Sequence, residues 1–375
     1  TCAVGTSGQA GCSACEDICP NDAIAIDTAG DGSVSVADAR CVGCGSCVST
    51  CPTDSIEPVQ TADLDALLPA VERAVAPVAS AGERGGLLSR RSAPDPVVVA
   101  FVADSLAETY RTAVTSRAVP AVVPVFVPNA LSVPDVAPLA AVAAGADAVV
   151  LATDPRRPTA PVTDAVEGAN RVLADVGAPE AVSMANTDDP DALAAALTEA
   201  EPASALPTAS VSDLPVESRH DAGLALASAL VDVHASGETA VHVPGGGSVT
   251  IEAEGCTLCE TCHGRCPTGA LVQSTGTLTV DPAACVGCGV CESACPEDVI
   301  DVSATATVGA SGVGEPRQVV EKEMVDCAVC GEPFASRAGL DAMRDQLDEA
   351  ALEAIDLEVC PACRKRTQQH AGIPR

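Results

Sequence analysis

Apolar residues between 95 and 240 fall into short runs that alternate with longer amphipathic stretches. Three runs are typical of buried strands, namely VVVAFVA, AVVPVFV and DAVVLAT. Four stretches are typical of helices: SLAETYRTAVTSR, VAPLAAVAAG, DAVEGANRVLADVG and HDAGLALASALVDVHASG. Strands that alternate with helices predict a parallel sheet with helices on its faces. We therefore expect an α/β domain at 95–240.

The pattern changes on either side of this segment. Apolar and polar residues alternate around Gly32 in AIAIDTAGDGSVSVADAR and around Gly276 in ALVQSTGTLTVDPAA, which predicts two β-hairpins. DLDALLPAVERAV predicts a helix, and a linker rich in Ser, Gly and Arg follows it. GLDAMRDQLDEAALEAI predicts one amphipathic helix near the C-terminal end.

Sixteen of the twenty cysteines lie in two near-duplicate blocks, outside the α/β segment. Each block holds two runs that end in Cys-Pro, and three of the four runs read C-x2-C-x2-C-x3-C-P. The tails CPNDAI, CPTDSI, CPTGAL and CPEDVI look like four copies of one repeat. The spacing resembles that of bacterial ferredoxins, in which three thiolates hold one [4Fe-4S] cluster and the fourth reaches across to its neighbour. Zinc binding by these sixteen is disfavoured by the repeated Cys-Pro endings.

The ferredoxin resemblance implies crossed ligand sets for [4Fe-4S] clusters. Three sets are complete: Cys256, Cys259 and Cys262 with Cys295; Cys285, Cys288 and Cys291 with Cys266; Cys41, Cys44 and Cys47 with Cys19. The remaining set has Cys12, Cys15 and Cys51, because Gln9 stands where the first cysteine of its run belongs. We expect Cys2 to loop back as the fourth ligand, while a three-cysteine [3Fe-4S] site stays open. His263, between two cysteines, is predicted to be a loop residue and not a ligand.

Four further cysteines near the C-terminal end form two CxxC knuckles, at Cys327 and Cys330 and at Cys360 and Cys363. Such a set predicts a tetrahedral site for Zn²⁺ or a single iron. The knuckles resemble those of rubredoxin, so a mononuclear iron stays open. Rubredoxin cores are aromatic, however, whereas Phe334 is the sole aromatic residue here. This favours a zinc-ribbon or treble-clef-like module in which the metal closes a small domain.

The α/β segment resembles the delta-type iron–sulfur subunit of hydrogenases that work with heterodisulfide reductase. The resemblance lies in VVVAFVADS and in PVFVPNALSVPDVAPLAAVAAGADAVVLATD, and is closest over Gly145 to Ala152. That family places [2Fe-2S] cysteines at the strand ends, where this chain has Asp104, the Pro128-Asn129 turn and Asp154. The resemblance implies a lost cluster and a spacer or docking role. GxGxxG and GxxxxGK[ST] loops are missing from the sequence, which leaves a flavin bound in another way as an alternative.

The amino-acid composition and net charge predict the source of the protein, its location and the partners it does not bind. The net charge is −32, and Lys322 and Lys365 are the only lysines. A dense carboxylate surface stays hydrated in concentrated salt, where charge repulsion is screened, so we predict a halophilic, haloarchaeal source. The alternative, an acidic surface that binds a basic partner, is disfavoured because lysine is nearly absent. Without a basic stripe, nucleic-acid binding is not expected.

Clustered cysteines predict a reducing, cytoplasmic location, and a membrane span is not expected because no run of 18 apolar residues occurs. Because residue 1 is threonine, removal of an N-terminal segment stays open.

Together these features resemble a haloarchaeal polyferredoxin subunit. The predicted organisation is a two-cluster unit at 1–60, a helix and linker at 61–94, an α/β domain without cofactor at 95–240, a second two-cluster unit at 241–319 and a four-cysteine metal module at 320–375. We expect a non-catalytic subunit that passes single electrons between a redox carrier and a catalytic partner with a molybdopterin, flavin or heterodisulfide-reductase-like centre. The alternatives are an independent oxidoreductase with a flavin or substrate site in the α/β domain, and a metal-stabilised scaffold or regulator.

Overall fold

A computed structural model describes residues 2–27, 32–56, 67, 69–75, 96–200, 211, 218–235, 237–309 and 311–370, with side chains up to 366. Of the helix and linker predicted at 61–94, residues 67 and 69–75 are described, and they are helical; the linker lies outside the described residues. In the described part of the chain, no helix has the length and apolarity needed to cross a membrane.

The first cysteine block forms a small α+β unit. Its elements are α1 (Ala3–Ser7), α2 (Ala14–Asp17), β1 (Ile24–Ile26), β2 (Val34–Val36) and α3 (Ser46–Thr50). Strands β1 and β2 pair antiparallel, with Ala25 opposite Ser35, which confirms the hairpin predicted around Gly32. Helix α1 begins at the N-cap Cys2 and ends at Gly8, whose φ of 63° suits glycine.

The segment that follows is a parallel α/β domain, as predicted. Its strands are β3 (Val97–Ala103), β4 (Ala121–Val127), β5 (Ala148–Thr153) and β6 (Val182–Asn186), all parallel, in the order β4-β3-β5-β6. Both central strands, β3 and β5, are buried along their whole length. Strand β4 lies at an edge, where Pro124 removes no ladder hydrogen bond that the sheet needs.

Helices cover the sheet, and all four predicted ones are present. They are α4 (Ala107–Ser116), α5 (Val136–Ala143), α6 (Ala160–Asp175) and α8 (Arg219–His234), and α7 (Pro190–Glu199) lies between the last two. Every residue of α5 is buried, because this helix is apolar all round and lies against β5 and α8. Helix α7 and strand β6 are additional to the predicted elements.

The second cysteine block is built from short strands. Its elements are β7 (Thr239–His242), β8 (Ser248–Ile251), α9 (Thr261–Arg265), β9 (Leu271–Ser274), β10 (Thr277–Val280), α10 (Val290–Ser293), β11 (Ile300–Ser303), β12 (Thr305–Val308) and β13 (Arg317–Glu321). The β9–β10 hairpin turns at Gly276, as predicted. Strand β13 pairs with β10, so the predicted limit at 319 falls inside a strand. Strands β7 and β12 pair, and their buried residues join the core of the α/β domain.

The C-terminal cysteines lie in a hairpin followed by three helices. The elements are β14 (Met324–Asp326), β15 (Pro333–Ser336), α11 (Arg337–Gln346), α12 (Glu349–Ala354) and α13 (Pro361–His370). The prediction of one helix over GLDAMRDQLDEAALEAI is wrong, because the chain breaks at Leu347, which is extended. Asp348 then caps α12 by accepting a hydrogen bond from the Ala351 amide at 2.8 Å.

Candidate iron-sulfur and metal centres

The three complete cysteine runs share one backbone pattern. In each run, the residue before the second cysteine and the residue after it both have left-handed φ values. These residues are glycines in two runs, at Gly43 and Gly45 and at Gly287 and Gly289, with φ between 62° and 83°. The third run has Leu258 at 54° and Glu260 at 67° instead. The broken first run lacks the pattern, since Ser13 has a φ of −119°.

The four Cys-Pro tails also share a backbone feature. The third residue after each cysteine is left-handed: Asp22 at 48°, Asp54 at 46°, Gly269 at 72° and Asp298 at 54°. This turn aims the next amide back at the cysteine in the first unit. The Ala23 amide donates to Cys19 Sγ at 3.2 Å, and the Ser55 amide donates to Cys51 Sγ at 3.3 Å. Amides that donate to sulfur favour the thiolate and tune a bound cluster.

The structure groups fifteen of the sixteen cysteines into four sets, and the ferredoxin spacing adds Cys41 to the first; we call the resulting quartets A to D. Quartets B, C and D each line a cavity. In quartet A, burial is the main cause of the raised pKa of Cys47, and the charges of Cys44 and Cys19 add to it, so these thiols are close neighbours. The quartets are A, Cys19, Cys41, Cys44 and Cys47; B, Cys2, Cys12, Cys15 and Cys51; C, Cys266, Cys285, Cys288 and Cys291; and D, Cys256, Cys259, Cys262 and Cys295.

Cys2 reaches quartet B from outside the ferredoxin spacing. Helix α1 turns the chain back, so that Cys2 lines the same cavity as Cys12, Cys15 and Cys51. The Gly5 amide donates to Cys2 Sγ at 3.4 Å. Gln9, which occupies the vacated position of the run, does not line this cavity.

Burial has the largest effect on the pKa values of the thiols in the quartets. It raises the pKa of Cys15, Cys262 and Cys288 to about 11 in each case, and that of Cys291 to about 12. Neighbouring thiols add to the effect, because several negative charges would share one enclosed site. These thiols therefore keep their protons at neutral pH until a positively charged group compensates the charge. Four thiols around one cavity fit an iron–sulfur cluster, whose binding must then release protons.

The C-terminal cysteines form a more compact quartet. The sulfur atoms of Cys327, Cys330, Cys360 and Cys363 all lie within 4.8 Å of one another, the only such group in the part of the chain the structure describes. The Cys360 amide donates to Cys327 Sγ at 3.2 Å, and this bond is the main reason that the pKa of Cys327 is lowered. Arg366 donates to Cys363 Sγ at 3.1 Å, while burial raises the pKa of that thiol. A single ion fits these four soft donors.

His263 lies in helix α9, so the prediction of a loop residue is wrong. Its Nδ1 lies 2.8 Å from the Leu271 carbonyl oxygen, which ties α9 to strand β9. The spacing of four residues between Cys262 and Cys266 is one helical turn, which explains the helix.

The polar residues at the strand ends of the α/β domain have different surroundings. Asp104 is exposed and begins a short 3-10 turn. The Asn129 side chain donates to the Cys44 carbonyl oxygen at 3.2 Å, so the end of β4 holds quartet A in place. Asp154 is buried and pairs with Arg156 at 2.7 Å. The hydrogen bond from Arg156 is the main reason that the pKa of Asp154 falls to about 2.

Arg219 is a positioning residue that the sequence did not reveal. Its guanidinium pairs with Asp135 in two contacts, from Nε at 3.0 Å and from NH2 at 2.8 Å, and both side chains are nearly buried. The same guanidinium donates to the Thr50 carbonyl oxygen at 3.4 Å, and the Arg219 amide donates to Asp54 at 3.2 Å. Arg219 therefore joins the first cysteine unit to the α/β domain.

Comparison with protein families agrees with this geometry. The family model for the 4Fe-4S dicluster domain matches residues 10–55, and the model for the 4Fe-4S binding domain matches residues 278–301. A search of curated proteins finds no match to the chain. The chain thus carries two ferredoxin-type iron–sulfur domains, which indicates a role in electron transfer.

Proposed function

We propose that this chain relays single electrons through four [4Fe-4S] clusters, one in each of the quartets A to D, as a subunit of a larger oxidoreductase. The observation that carries the proposal is the crossed composition of the quartets. In quartets C and D, the three thiols of each run share a cavity with the last cysteine of the other run. When bound, such a cluster accepts and returns one electron at a time.

The residues around the quartets have defined parts in this role. The thiolates would hold each cluster, while burial and amide donors such as Ala23 and Ser55 would adjust its potential. Cys2 would complete quartet B, so that all four sites have four thiolates. The C-terminal quartet would hold Zn²⁺ and serve structure, since its four sulfurs lie close enough for one ion.

The sequence supports a proposal for the catalytic partner, the compartment and the source of the protein. A likeness of the α/β domain to the delta-type subunit of heterodisulfide-reductase-linked hydrogenases favours a catalytic partner of that kind, or one with a flavin or molybdopterin centre. Asn129, which stands where the family has a cysteine loop, binds the backbone at Cys44. This contact supports the idea that the domain now acts as a scaffold for the relay. A reducing, cytoplasmic setting and a halophilic source belong to the same proposal.

The capacity for electrons tests the proposal. A chain assembled without oxygen and titrated with dithionite should take up about four electrons, one per cluster. Cys295→Ala should lower the uptake to about three and should first remove the site shared with Cys256, Cys259 and Cys262. An uptake of two or fewer in the unaltered chain would contradict the proposal. If Cys295→Ala instead removed the site of Cys285, Cys288 and Cys291, the crossed ligand sets would be wrong.

A further inference from the structure

The two ferredoxin-type units touch each other through their backbones. Helix α1 lies against helix α10. A methyl group added at Gly11 would lie 2.8 Å from the Val290 nitrogen and 2.9 Å from the Cys288 carbonyl oxygen. Side chains are not accommodated at such distances, so only glycine permits this approach. Arg265 adds a hydrogen bond from its guanidinium to the Ser7 carbonyl oxygen.

This junction brings thiols of different quartets close together. Burial is the main cause of the raised pKa of Cys288, and the charges of Cys266 and of Cys12 raise it further. Cys266 belongs to the same quartet as Cys288, whereas Cys12 belongs to quartet B. Quartets B and C are therefore neighbours across the junction.

Within each unit, one further quartet lies next to the quartet at the junction. In the first unit, Cys15 of quartet B lies near Cys47 of quartet A. In the second unit, Cys291 of quartet C lies near Cys262 of quartet D. Each of the other two quartets has one exposed cysteine, Cys41 in A and Cys259 in D, whereas the cysteines of B and C are buried or partly buried.

We infer that the quartets stand in single file, A-B-C-D, and that electrons pass between the two units at the junction of Gly11 with Val290. The inference rests on the proposed function and adds the route. An electron from a low-potential one-electron donor at one end would leave to a one-electron acceptor at the other end. Each transfer oxidises one site and reduces the next by the same electron, and no bond forms or breaks.

The C-terminal module lies at the D end of the file. The Ser336 hydroxyl donates to the Thr257 carbonyl oxygen, next to Cys256. Lys322 donates to the Glu254 carbonyl oxygen at 3.0 Å. At the A end, Val42 beside Cys41 is 56% exposed. The two ends thus differ, which suits a relay with different partners for entry and exit.

Variants of the full chain that lose the clusters of two chosen quartets test the order A-B-C-D. Replacing Cys41, Cys44, Cys256 and Cys259 by alanine removes the clusters of A and D and should leave about 8 iron in B and C. After dithionite reduction, the electron paramagnetic resonance spectrum should show two magnetically interacting centres. Adding Gly11→Val should remove that interaction without lowering the iron content.

The reverse variant is the matched control. Replacing Cys12, Cys15, Cys288 and Cys291 by alanine should likewise leave about 8 iron, now in A and D. Its spectrum should be the sum of two isolated signals. Isolated signals in the variant that keeps B and C, or interacting signals in the variant that keeps A and D, would contradict the linear order A-B-C-D. A shortage of iron in the unaltered chain would instead count against the proposed function itself.

Hydrogen exchange tests the junction with all cysteines in place. Gly11→Val should speed amide exchange in both 3–12 and 286–293, because it forces the two units apart. Gly264→Ala is the control, since a methyl group there would meet no atom within 4 Å in the described structure. It should leave both segments unchanged. Exchange in Gly11→Val that stays as slow as in the unaltered chain, on either side, would overturn the inferred junction.

Discussion

Glu260 holds a left-handed backbone, with a φ of 67°, at the position where Gly45 and Gly289 occur in the other complete runs. The side chain is exposed, so it gains little from burial in exchange for this conformation. A left-handed residue other than glycine costs on the order of 1–2 kcal/mol. Glycine at this position would remove that cost, but glycine also loses more conformational entropy on folding, which offsets part of the gain in stability.

Glu260→Gly is therefore expected to raise the free energy of unfolding of the second unit by about 1 kcal/mol. Urea denaturation of the full chain, followed by circular dichroism without oxygen, measures the change. Glu260→Ala is the matched control, because it removes the same side chain but keeps the strained backbone. Equal gains from both variants would show that the side chain, and not the backbone, is responsible.

Single residues divide into those the spacing predicts and those it does not. The crossed quartets follow from the resemblance to bacterial ferredoxins, in which the fourth thiolate of one run reaches the cluster of the other. Cys2 is predicted to return to the site because the broken run lacks one sulfur. The left-handed residues are less predictable, since Leu258 and Glu260 stand where glycine would mark the turn.

At the scale of elements, Arg219 pairs with Asp135 and joins the α/β domain to the first cysteine unit. Arg219→Met should lower the free energy of unfolding by about 3–5 kcal/mol, because it leaves the Asp135 carboxylate buried without a partner. Thermal unfolding of the full chain measures the loss. Arg117→Met is the control, since Arg117 and its partner Asp191 are 57% and 65% exposed and its loss should cost about 1 kcal/mol or less. Similar losses in the two variants would contradict the joining role of Arg219.

Strands and helices of the α/β domain could be predicted where their patterns are strong. Strands β3 and β5 are continuous apolar runs, and α5 is apolar all round. The missed helix α7 had a recognisable start, since Asp189 caps it by accepting from the Asp191 and Ala192 amides and Pro190 follows at its first turn. The wrongly joined C-terminal helix contains a similar start at Asp348, which the apolar period concealed.

At the scale of the whole molecule, a net charge of −32 sets the response to salt. Potassium chloride should raise the thermal midpoint between about 0.1 and 2 M, because the Debye length falls from about 10 Å at 0.1 M to about 3 Å at 1 M. Repulsion among the carboxylates is then screened. Thermal scans at several salt concentrations measure the effect. A midpoint that stays constant, or falls, would contradict the halophilic interpretation.

The arrangement of the units could not be predicted from the sequence. The repeat defines each ferredoxin-type unit, but the junction depends on a glycine, Gly11, whose partner Val290 lies far away along the chain. Likewise, Ser336 and Thr257 belong to segments that look independent. Such contacts depend on shape and not on local pattern.

Iron, labile sulfide and zinc, measured on the full chain assembled without oxygen, test the central claim most directly. Four clusters and one metal module predict about 16 iron, 16 sulfide and one zinc per chain. Fewer than about 12 iron would contradict the claim that four quartets hold cubane clusters.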